Sequence, residues 1–283
     1  MKTKISITVS EKVLQDVDSI VDNLFIRNRS QAIEYLIERA LKEDKIAVIL
    51  AGEGRIGIPG KLKHRYGLRV NGSTIIEKAL YKLSDGGFKK IYIIADHETL
   101  TNIFKLVGDG SDHNVKIEYI DEEIDASRTE LGTAHALRLL KGKIKTTFLL
   151  VQSDLVFNDV DLKSLWREHK QCSMVATLRI CSSIMPNEQT RWGNVNLRGN
   201  KILSYIEKPS LKKATSSLFF GGIIVAEPEI LSYHGKSLEQ DVFPILARQG
   251  LLGGHISSSE HLHVHSKEDL ERVRKKLKEQ RKH

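Results

Sequence analysis

Lys45-Ile46-Ala47-Val48-Ile49-Leu50-Ala51-Gly52-Glu53-Gly54 is the stretch that decides the fold. A short apolar run with no polar alternation reads as a strand buried on both faces. The glycines that follow read as a tight turn in which backbone N–H groups can approach an anion. A nucleotide-binding α/β domain begins in this way. The stretch is also a seam, because the residues before Lys45 follow a different grammar.

Downstream, apolar segments alternate with helical ones. Strands are expected at Ile46–Leu50, Ile91–Ala95, Val115–Ile120, Thr147–Val151 and Met174–Ile180, with helical stretches at Ser73–Leu83, Glu98–Val107, Gly132–Lys141 and Leu162–Lys170 between them. Such alternation predicts an α/β fold with a three-layer, mostly parallel sheet. Ligands bind such sheets at the carboxyl ends of the strands. The informative loops are therefore those after Leu50 and Val151. The second reads Gln152-Ser153-Asp154. An Asp there suits a divalent cation bridging phosphates, and it equally suits a helix cap or loop.

Upstream, Ile5, Ile7 and Val9 alternate with Lys4, Ser6 and Thr8, which places the two sets on opposite faces of a strand. Ser10 then caps one helix, with Val13, Val17, Ile20 and Leu24 at helical spacing, and Ser30 caps a second carrying Ile33, Leu36, Ile37, Ala40 and Leu41. Residues 1–44 form a module too short to bury a core alone, so a second copy is the simplest partner. Residues 45–283 form the α/β domain.

Composition narrows the setting. The chain of 283 residues carries a formal net charge of +8. The arm does not supply it: Met1 to Asp44 holds seven Lys and Arg against eight Asp and Glu. The excess lies in Arg272–His283, with seven basic residues and one Glu, and in Gly54–Arg69, with Arg55, Lys61, Lys63, Arg65 and Arg69 and no acid. The first cluster is a solvated helix end, and the second follows the Gly-rich turn, where a polyanion would sit. No apolar run approaches the ~18 residues of a membrane span and no signal peptide is expected. The cysteines, Cys172 and Cys181, lack metal-motif spacing. A cytoplasmic protein with reduced thiols, not associated with a membrane, is expected.

The arm resembles the ribbon-helix-helix family of DNA-binding proteins, through Lys4-Ile5-Ser6-Ile7-Thr8-Val9 and Asn28-Arg29-Ser30-Gln31-Ala32-Ile33. The resemblance implies a homodimer whose paired strands enter the major groove of double-stranded DNA. Lys4, Ser6 and Thr8 would face bases, and Arg29 and Ser30 would lie at a phosphate. A module that dimerises without binding DNA remains open.

The larger part resembles the sugar-1-phosphate nucleotidyltransferases from about Lys45 to about Leu277. Val70-Asn71-Gly72-Ser73-Thr74-Ile75-Ile76-Glu77 is similar to that family's Val-x-Gly-Lys-Pro-Leu-Ile-Glu. Leu131-Gly132-Thr133-Ala134 resembles its nucleobase-side turn, and Leu149–Val156 its metal-Asp strand. Trp192-Gly193 and Glu207-Lys208-Pro209 resemble its sugar and sugar-phosphate contacts. Phe220-Gly221-Gly222-Ile223 and Ser266-Lys267-Glu268-Asp269-Leu270 are similar to two later motifs. The resemblance implies a glycosyltransferase-A-like fold and nucleotidyl transfer from a nucleoside triphosphate to a sugar-1-phosphate, with Mg²⁺. By it, Asp154 holds metal, Gly52, Gly54, Gly132 and Thr133 the nucleotide, Arg55 and Arg65 the triphosphate, and Gly193, Glu207 and Lys208 the sugar phosphate.

The sequence departs from the family at two points. The Gly-rich loop, Gly52-Glu53-Gly54-Arg55-Ile56-Gly57, is about two residues short, and its Pro-Lys position holds His64-Arg65. The second metal Asp aligns with His263 in His261-Leu262-His263-Val264-His265. If extended, that run puts three His on one face. His263 is then a second metal ligand, possible for a metal other than Mg²⁺, or part of a surface strand. The altered loop keeps an alternative open: a DNA-binding regulator whose nucleotidyltransferase-like domain senses a nucleotide or nucleotide-sugar without turning it over.

Overall fold

The computed structural model describes residues 5–22, 24–41, 45–52, 55–56, 63–122, 132–182 and 190–280. The chain divides into two compact units, Met1–Asp44 and Lys45–His283.

In the first unit, helix α1 (Glu11–Ser19) starts at Ser10, whose side chain accepts from the Val13 N–H at 3.4 Å. Helix α2 (Arg29–Leu41) is capped two residues earlier than its sequence predicts. Asn28 Oδ1 accepts from the Gln31 N–H at 3.0 Å, so Asn28 is the cap and Ser30 lies within the first turn. An amide side chain competes well with a hydroxyl at this position. Arg29 ties the helices together, donating from Nε and Nη2 to the two carboxylate oxygens of Asp18 at 2.6 and 2.7 Å. The expected strand is not formed: residues 5–10 have no ladder partner. A strand needs a neighbour for its backbone groups, and a single chain offers none here.

The second unit opens with β1 (Lys45–Leu50), β2 (Arg55–Ile56), β3 (Lys63–His64), β4 (Arg69–Val70) and β5 (Ser73–Thr74). Then come α3 (Ile75–Asp85), β6 (Phe88–Ala95), α4 (His97–Val107), β7 (Lys116–Asp121), α5 (Thr133–Arg138), β8 (Phe148–Gln152), β9 (Leu155–Val156) and α6 (Leu162–Gln171). The chain continues through β10 (Ala176–Ser182), β11 (Asn194–Arg198), β12 (Lys201–Ile206), β13 (Leu218–Ala226), α7 (Phe243–Gln249), β14 (Leu252–Ile256), β15 (Leu262–His263) and α8 (Lys267–Gln280).

Nine strands form one sheet in the order β10-β14-β12-β11-β13-β8-β1-β6-β7. The pairings β8–β1, β1–β6 and β6–β7 are parallel. Beyond β8 the sheet is mixed: β13 runs antiparallel to β8, β11 to β12 and β13, and β12 to β14, while β10 and β14 are parallel. The expected mostly parallel sheet therefore holds only for the amino-terminal half. Strands β11 to β13 follow one another without crossover helices, and such connections force antiparallel pairing.

The alternation along β1 shows both faces at work. Val48 and Leu50 enter one core with Leu137, Phe243 and Leu246, while Ala47, Ile49 and Ala51 enter another with Ile76, Leu80 and Leu165. Burial on both faces explains the unbroken apolar run. Helix α3 starts at a capping box: Thr74 Oγ1 accepts from the Glu77 N–H, and Glu77 Oε2 accepts from the Thr74 N–H at 2.6 Å. A two-stranded ladder, β9–β15, then lays His263 opposite Leu155. Together with the Val264 N–H donating to the Asp154 carbonyl at 3.0 Å, it fixes the histidine run against the end of β8.

Candidate active site

The carboxyl ends of β1 and β8 are neighbours, and the Ser153 N–H donates to the Leu50 carbonyl at 3.1 Å. This places Gly52 and Asp154 on the rim of one cavity of about 680 Å³. Arg65, Gly132, Thr133, Gly193, Glu207 and Lys208 line the same cavity. Residues drawn from five sequence motifs thus share one volume. Gly54 lies outside the described residues, and Arg55 is described only as backbone in β2. Of the arm residues, Lys4 lies outside as well; Ser6 and Thr8 are exposed, and Arg29 is already paired with Asp18.

Asp154 is the electrostatic centre. Its Oδ2 lies 3.5 Å from Arg65 Nη1 and 3.3 Å from His265 Nε2. Arg65 Nη1 also lies 2.7 Å from His265 Nδ1. A guanidinium can only donate, so Nδ1 accepts and the ring proton sits on Nε2, aimed at the carboxylate. Burial pushes the Asp154 carboxyl above the usual carboxylate range, and His265 and Arg65 pull the other way. Burial likewise lowers His265, so the imidazole is held neutral.

His265, and not His263, therefore faces Asp154. His263 is 3% exposed and points Nε2 toward Asp269 Oδ2 at 3.4 Å. Strand alternation does put His261, His263 and His265 on one face: the His261 and His263 rings stack, the His265 ring is tilted by 51° to that of His263, and all three lie against Trp192, with His263 at 4.4 Å. Burial drops the His263 pKa to about 3 and the His261 pKa well below its usual value. His263 is thus a packed, neutral ring in the wall behind the cavity. The alternating run contained the signal for His265; the choice among three equivalent rings needed the β9–β15 register.

The Glu207-Lys208 pair follows directly on the end of β12. Glu207 Oε2 accepts from the Tyr205 hydroxyl at 2.8 Å, and Lys208 Nζ lies 3.9 Å from Glu207 Oε1. Burial raises the Glu207 pKa, the Tyr205 hydrogen bond opposes this, and the nearby Glu239 adds to the rise. Gly193 permits the approach, since a Cβ there would collide with the Tyr205 hydroxyl and reach 2.9 Å from Glu207 Oε2. Gly132 has the same role on the other side, against the Lys236 carbonyl. Thr133 Oγ1 accepts from the Leu238 N–H at 2.8 Å and donates to Glu239 Oε2 at 2.6 Å. Glu239, Gln152, Trp192, Asp96 and Glu122 also line the cavity, and no spacing in the sequence singles out Glu239.

Mg²⁺ usually keeps its waters and takes one or two carboxylates plus substrate phosphates. Asp154 supplies one carboxylate on the cavity wall, but its Oδ2 is already engaged by Arg65 and His265, so it could share an ion only once Arg65 moves away. A closed protein cage is not built: among the described residues no group of three His, Cys, Asp or Glu is placed to hold a metal.

Comparison with known proteins agrees with this geometry. The nucleotidyl transferase family model matches residues 64–243. The chain is 29% identical over 192 residues to the UTP–glucose-1-phosphate uridylyltransferase of Synechocystis sp., which covers 62% of this chain and 48% of that protein. It is 31% identical over 157 residues to the bifunctional protein GlmU of Methanococcus maripaludis, covering 54% and 33%. The chain thus spans half or less of the length of these curated relatives. Among solved structures, one described as a glucose-1-phosphate thymidylyltransferase of Bacillus anthracis, in complex with a sucrose, superposes with a TM-score of 0.69 at 23% identity, over 81% of this chain and 94% of that one. HddC from Yersinia pseudotuberculosis superposes with a TM-score of 0.64 at 17% identity, over 82% and 99%. At these identities the structural likeness speaks for the fold.

Proposed function

Because this chain belongs to the nucleotidyl transferase family, we propose that it transfers a nucleotidyl group from a nucleoside triphosphate to a sugar-1-phosphate. The observation that carries the reading is the shared cavity. Asp154 and Arg65 lie at one part of its wall, Gly132 and Thr133 at a second, and Gly193, Glu207 and Lys208 at a third.

The reaction needs two anions held in line. A phosphate oxygen of the sugar-1-phosphate attacks the α-phosphorus, the α–β bridging bond breaks, and pyrophosphate leaves with that electron pair. No covalent nucleophile on the protein is required; positioning and charge neutralisation supply the rate. Arg65 would leave Asp154 for the triphosphate, and Lys208, 68% exposed at its side chain, is free to meet the sugar phosphate. Gly52, Gly132 and Thr133 would border the nucleotide, with Gly54 and Arg55 completing the Gly-rich loop. Mg²⁺ held by Asp154 would supply charge neutralisation at the bridging phosphates. Pyrophosphate release from a panel of triphosphates and sugar-1-phosphates tests this. Release that requires both substrates and is lost in Asp154→Ala supports it; nucleotide binding without release refutes it.

A second activity is favoured by the arm. Ile5, Ile7 and Val9 are 69%, 52% and 42% exposed, and they alternate with Ser6 and Thr8. An apolar face of this kind, with unpaired backbone, fits antiparallel pairing with a second copy. The paired ribbon would present Lys4, Ser6 and Thr8 to double-stranded DNA, with Ser30 at a phosphate. In that role the domain would place a nucleotidyltransferase on DNA, or report its ligand to DNA without turnover. Measuring DNA affinity with and without nucleotide, across salt concentrations, separates the two. Among the described residues no helix is long and apolar enough to cross a membrane, and Cys172 and Cys181 are free, in keeping with a cytoplasmic setting.

A further inference from the structure

We infer that Arg179 and Asp269 are positioning residues for the candidate active site: they hold the histidine strand at its two ends and so decide that His265 is the ring that meets Asp154. The kinetic consequence rests on the nucleotidyl-transfer reading above and deepens it; the placement itself does not depend on that reading.

The run His261-Leu262-His263-Val264-His265 repeats itself every two residues. Its aliphatic side fixes the face, since Leu262 and Val264 enter a core with Val156, Val273 and Leu277. Its height is less well specified, because a histidine recurs at every second position. A shift of two residues, about 6.6 Å along a strand, would keep the rings on the same face and carry His263 toward the height of Asp154. The ladder with β9 spans two residue pairs, and its bonds join backbone groups that any register can supply. The first two rings add no anchor: among the described residues no hydrogen bond forms to the ring nitrogens of His261 or His263.

Both ends of the run are tied from outside it. As the chain leaves β14, the Ser257 N–H donates to the Ile180 carbonyl at 2.8 Å. The neighbouring Arg179, 1% exposed, reaches the residues that follow. Its Nη2 donates to the Ser259 and Glu260 carbonyls at 3.0 Å each and to Ser259 Oγ at 3.1 Å, while Nη1 donates to the Gly221 carbonyl at 3.1 Å. Consecutive residues of β10 thus fix both Ser257 and Glu260, and the chain enters His261 without slack. Burying a guanidinium is costly, and Nε has no partner among the described residues. What Arg179 supplies for that cost is a planar fork that bridges β13 to an irregular segment.

At the exit, Asp269 Oδ2 accepts from the His265 N–H at 3.0 Å and from the Ser266 N–H at 3.1 Å, and the Asp269 N–H donates to Ser266 Oγ at 3.1 Å. The two bonds between Ser266 and Asp269 cap α8. The bond to His265 lies one residue before that cap and adds nothing to the helix. It fixes the backbone of the residue whose ring meets both Asp154 and Arg65. Displacing His265 would release a carboxylate and a guanidinium of the cavity wall together.

Magnetic resonance of isotope-labelled histidine tests this. In the wild-type chain at neutral pH the His265 ring, identified by its loss in His265→Gln, should show a neutral imidazole with its proton on Nε2. Asp269→Ala and Arg179→Met should each replace that signal with one averaged over both tautomers. Ser266→Ala removes the cap but leaves the bond to the His265 N–H, so the signal should stay, as it should in Asp269→Asn, which keeps an accepting oxygen. Should either main variant not fold, Arg179→Lys, which keeps the charge without the fork, and Asp269→Glu, which keeps the cap with a longer side chain, take their places. In pyrophosphate release the two main variants should lower kcat by about tenfold or more, with KM for the sugar-1-phosphate within about twofold of wild type. A His265 signal or a kcat unmoved by one of the two substitutions, or a signal moved as far by Ser266→Ala as by Asp269→Ala, overturns the inference and leaves nucleotidyl transfer intact. No pyrophosphate release from the wild-type chain overturns the nucleotidyl-transfer reading, and the ring signal alone then decides the placement.

Discussion

Acidification should destabilise the larger unit through His263, and by an amount that follows from its burial. An unfolded imidazole takes up a proton near pH 6.5, whereas burial among Trp192, His261 and His265 holds the folded ring neutral down to about 3. The folded pKa is depressed, so this contribution to stability is present above pH 6.5 and is lost as pH falls toward 3. Linkage gives a loss of about 2 kcal/mol between pH 7 and pH 5, growing by about one kcal/mol or a little more per pH unit below that. The figure hardly changes if the folded pKa is nearer 4, because by pH 5 the folded ring is still almost wholly neutral. Asp269 at 3.4 Å favours the protonated ring, but it does not offset the cost of charging a side chain so deeply placed. His263→Phe keeps a ring against Trp192 and removes the titration. Thermal or urea unfolding of both proteins from pH 7 to pH 5 isolates the effect, since other buried histidines contribute alike to each. The stability gap should close in favour of the variant by about 2 kcal/mol, or roughly 4–8 °C in Tm. Parallel curves for the two proteins across that range refute the reasoning.

Further outcomes are expected at the site and the arm. Gly193→Ala forces the Tyr205 hydroxyl off Glu207, so affinity for sugar-1-phosphate should fall by about 10²-fold, with nucleotide affinity changed much less; equal losses for both ligands in titration calorimetry would count against the assignment of the two ends. Gly132→Ala meets the Lys236 carbonyl and should show the opposite ligand pattern, measured the same way. Asp154→Asn should cut pyrophosphate release by at least about 10²-fold, and a variant that retains wild-type rates removes Asp154 from the chemistry. Ile7→Glu puts a charge on the apolar face of the arm, and light scattering should report a shift from dimer to monomer; an unchanged mass excludes the ribbon as the dimer contact.

The parallel half of the sheet was legible in the chain because each β-strand there is buried on both faces. Ile46–Leu50 and Ile91–Ala95 read as apolar runs, with alternate residues entering two cores, and the structure extends the second back to Phe88. The helix start at Ser10 was equally local, since a cap is a bond between residues three apart, whereas the helical stretch expected from Ser73 begins at Ile75, behind a Thr74 cap. So were the glycines of the site, which mark places where backbone must come close. The antiparallel half was less legible. Pairing direction depends on how connections cross the sheet, and β10 joins both β13 and β14 across a long sequence separation.

Chemistry by residue type was also local: an Asp at the end of a buried strand, a Glu-Lys-Pro after another, three alternating histidines. What the sequence left open was which of these groups touch. His265 rather than His263 reaches Asp154 because one backbone hydrogen bond, Val264 to Asp154, sets the height of the histidine strand against β8. Arg65 joins them from 89 residues away. Glu239 carries no motif at all; it enters the cavity because Thr133, Ser237 and Gln152 turn its carboxylate inward. Composition and periodicity determine which elements form and what each one can do. Distances between side chains on different elements are set only when those elements pack, and catalysis and recognition depend on those distances.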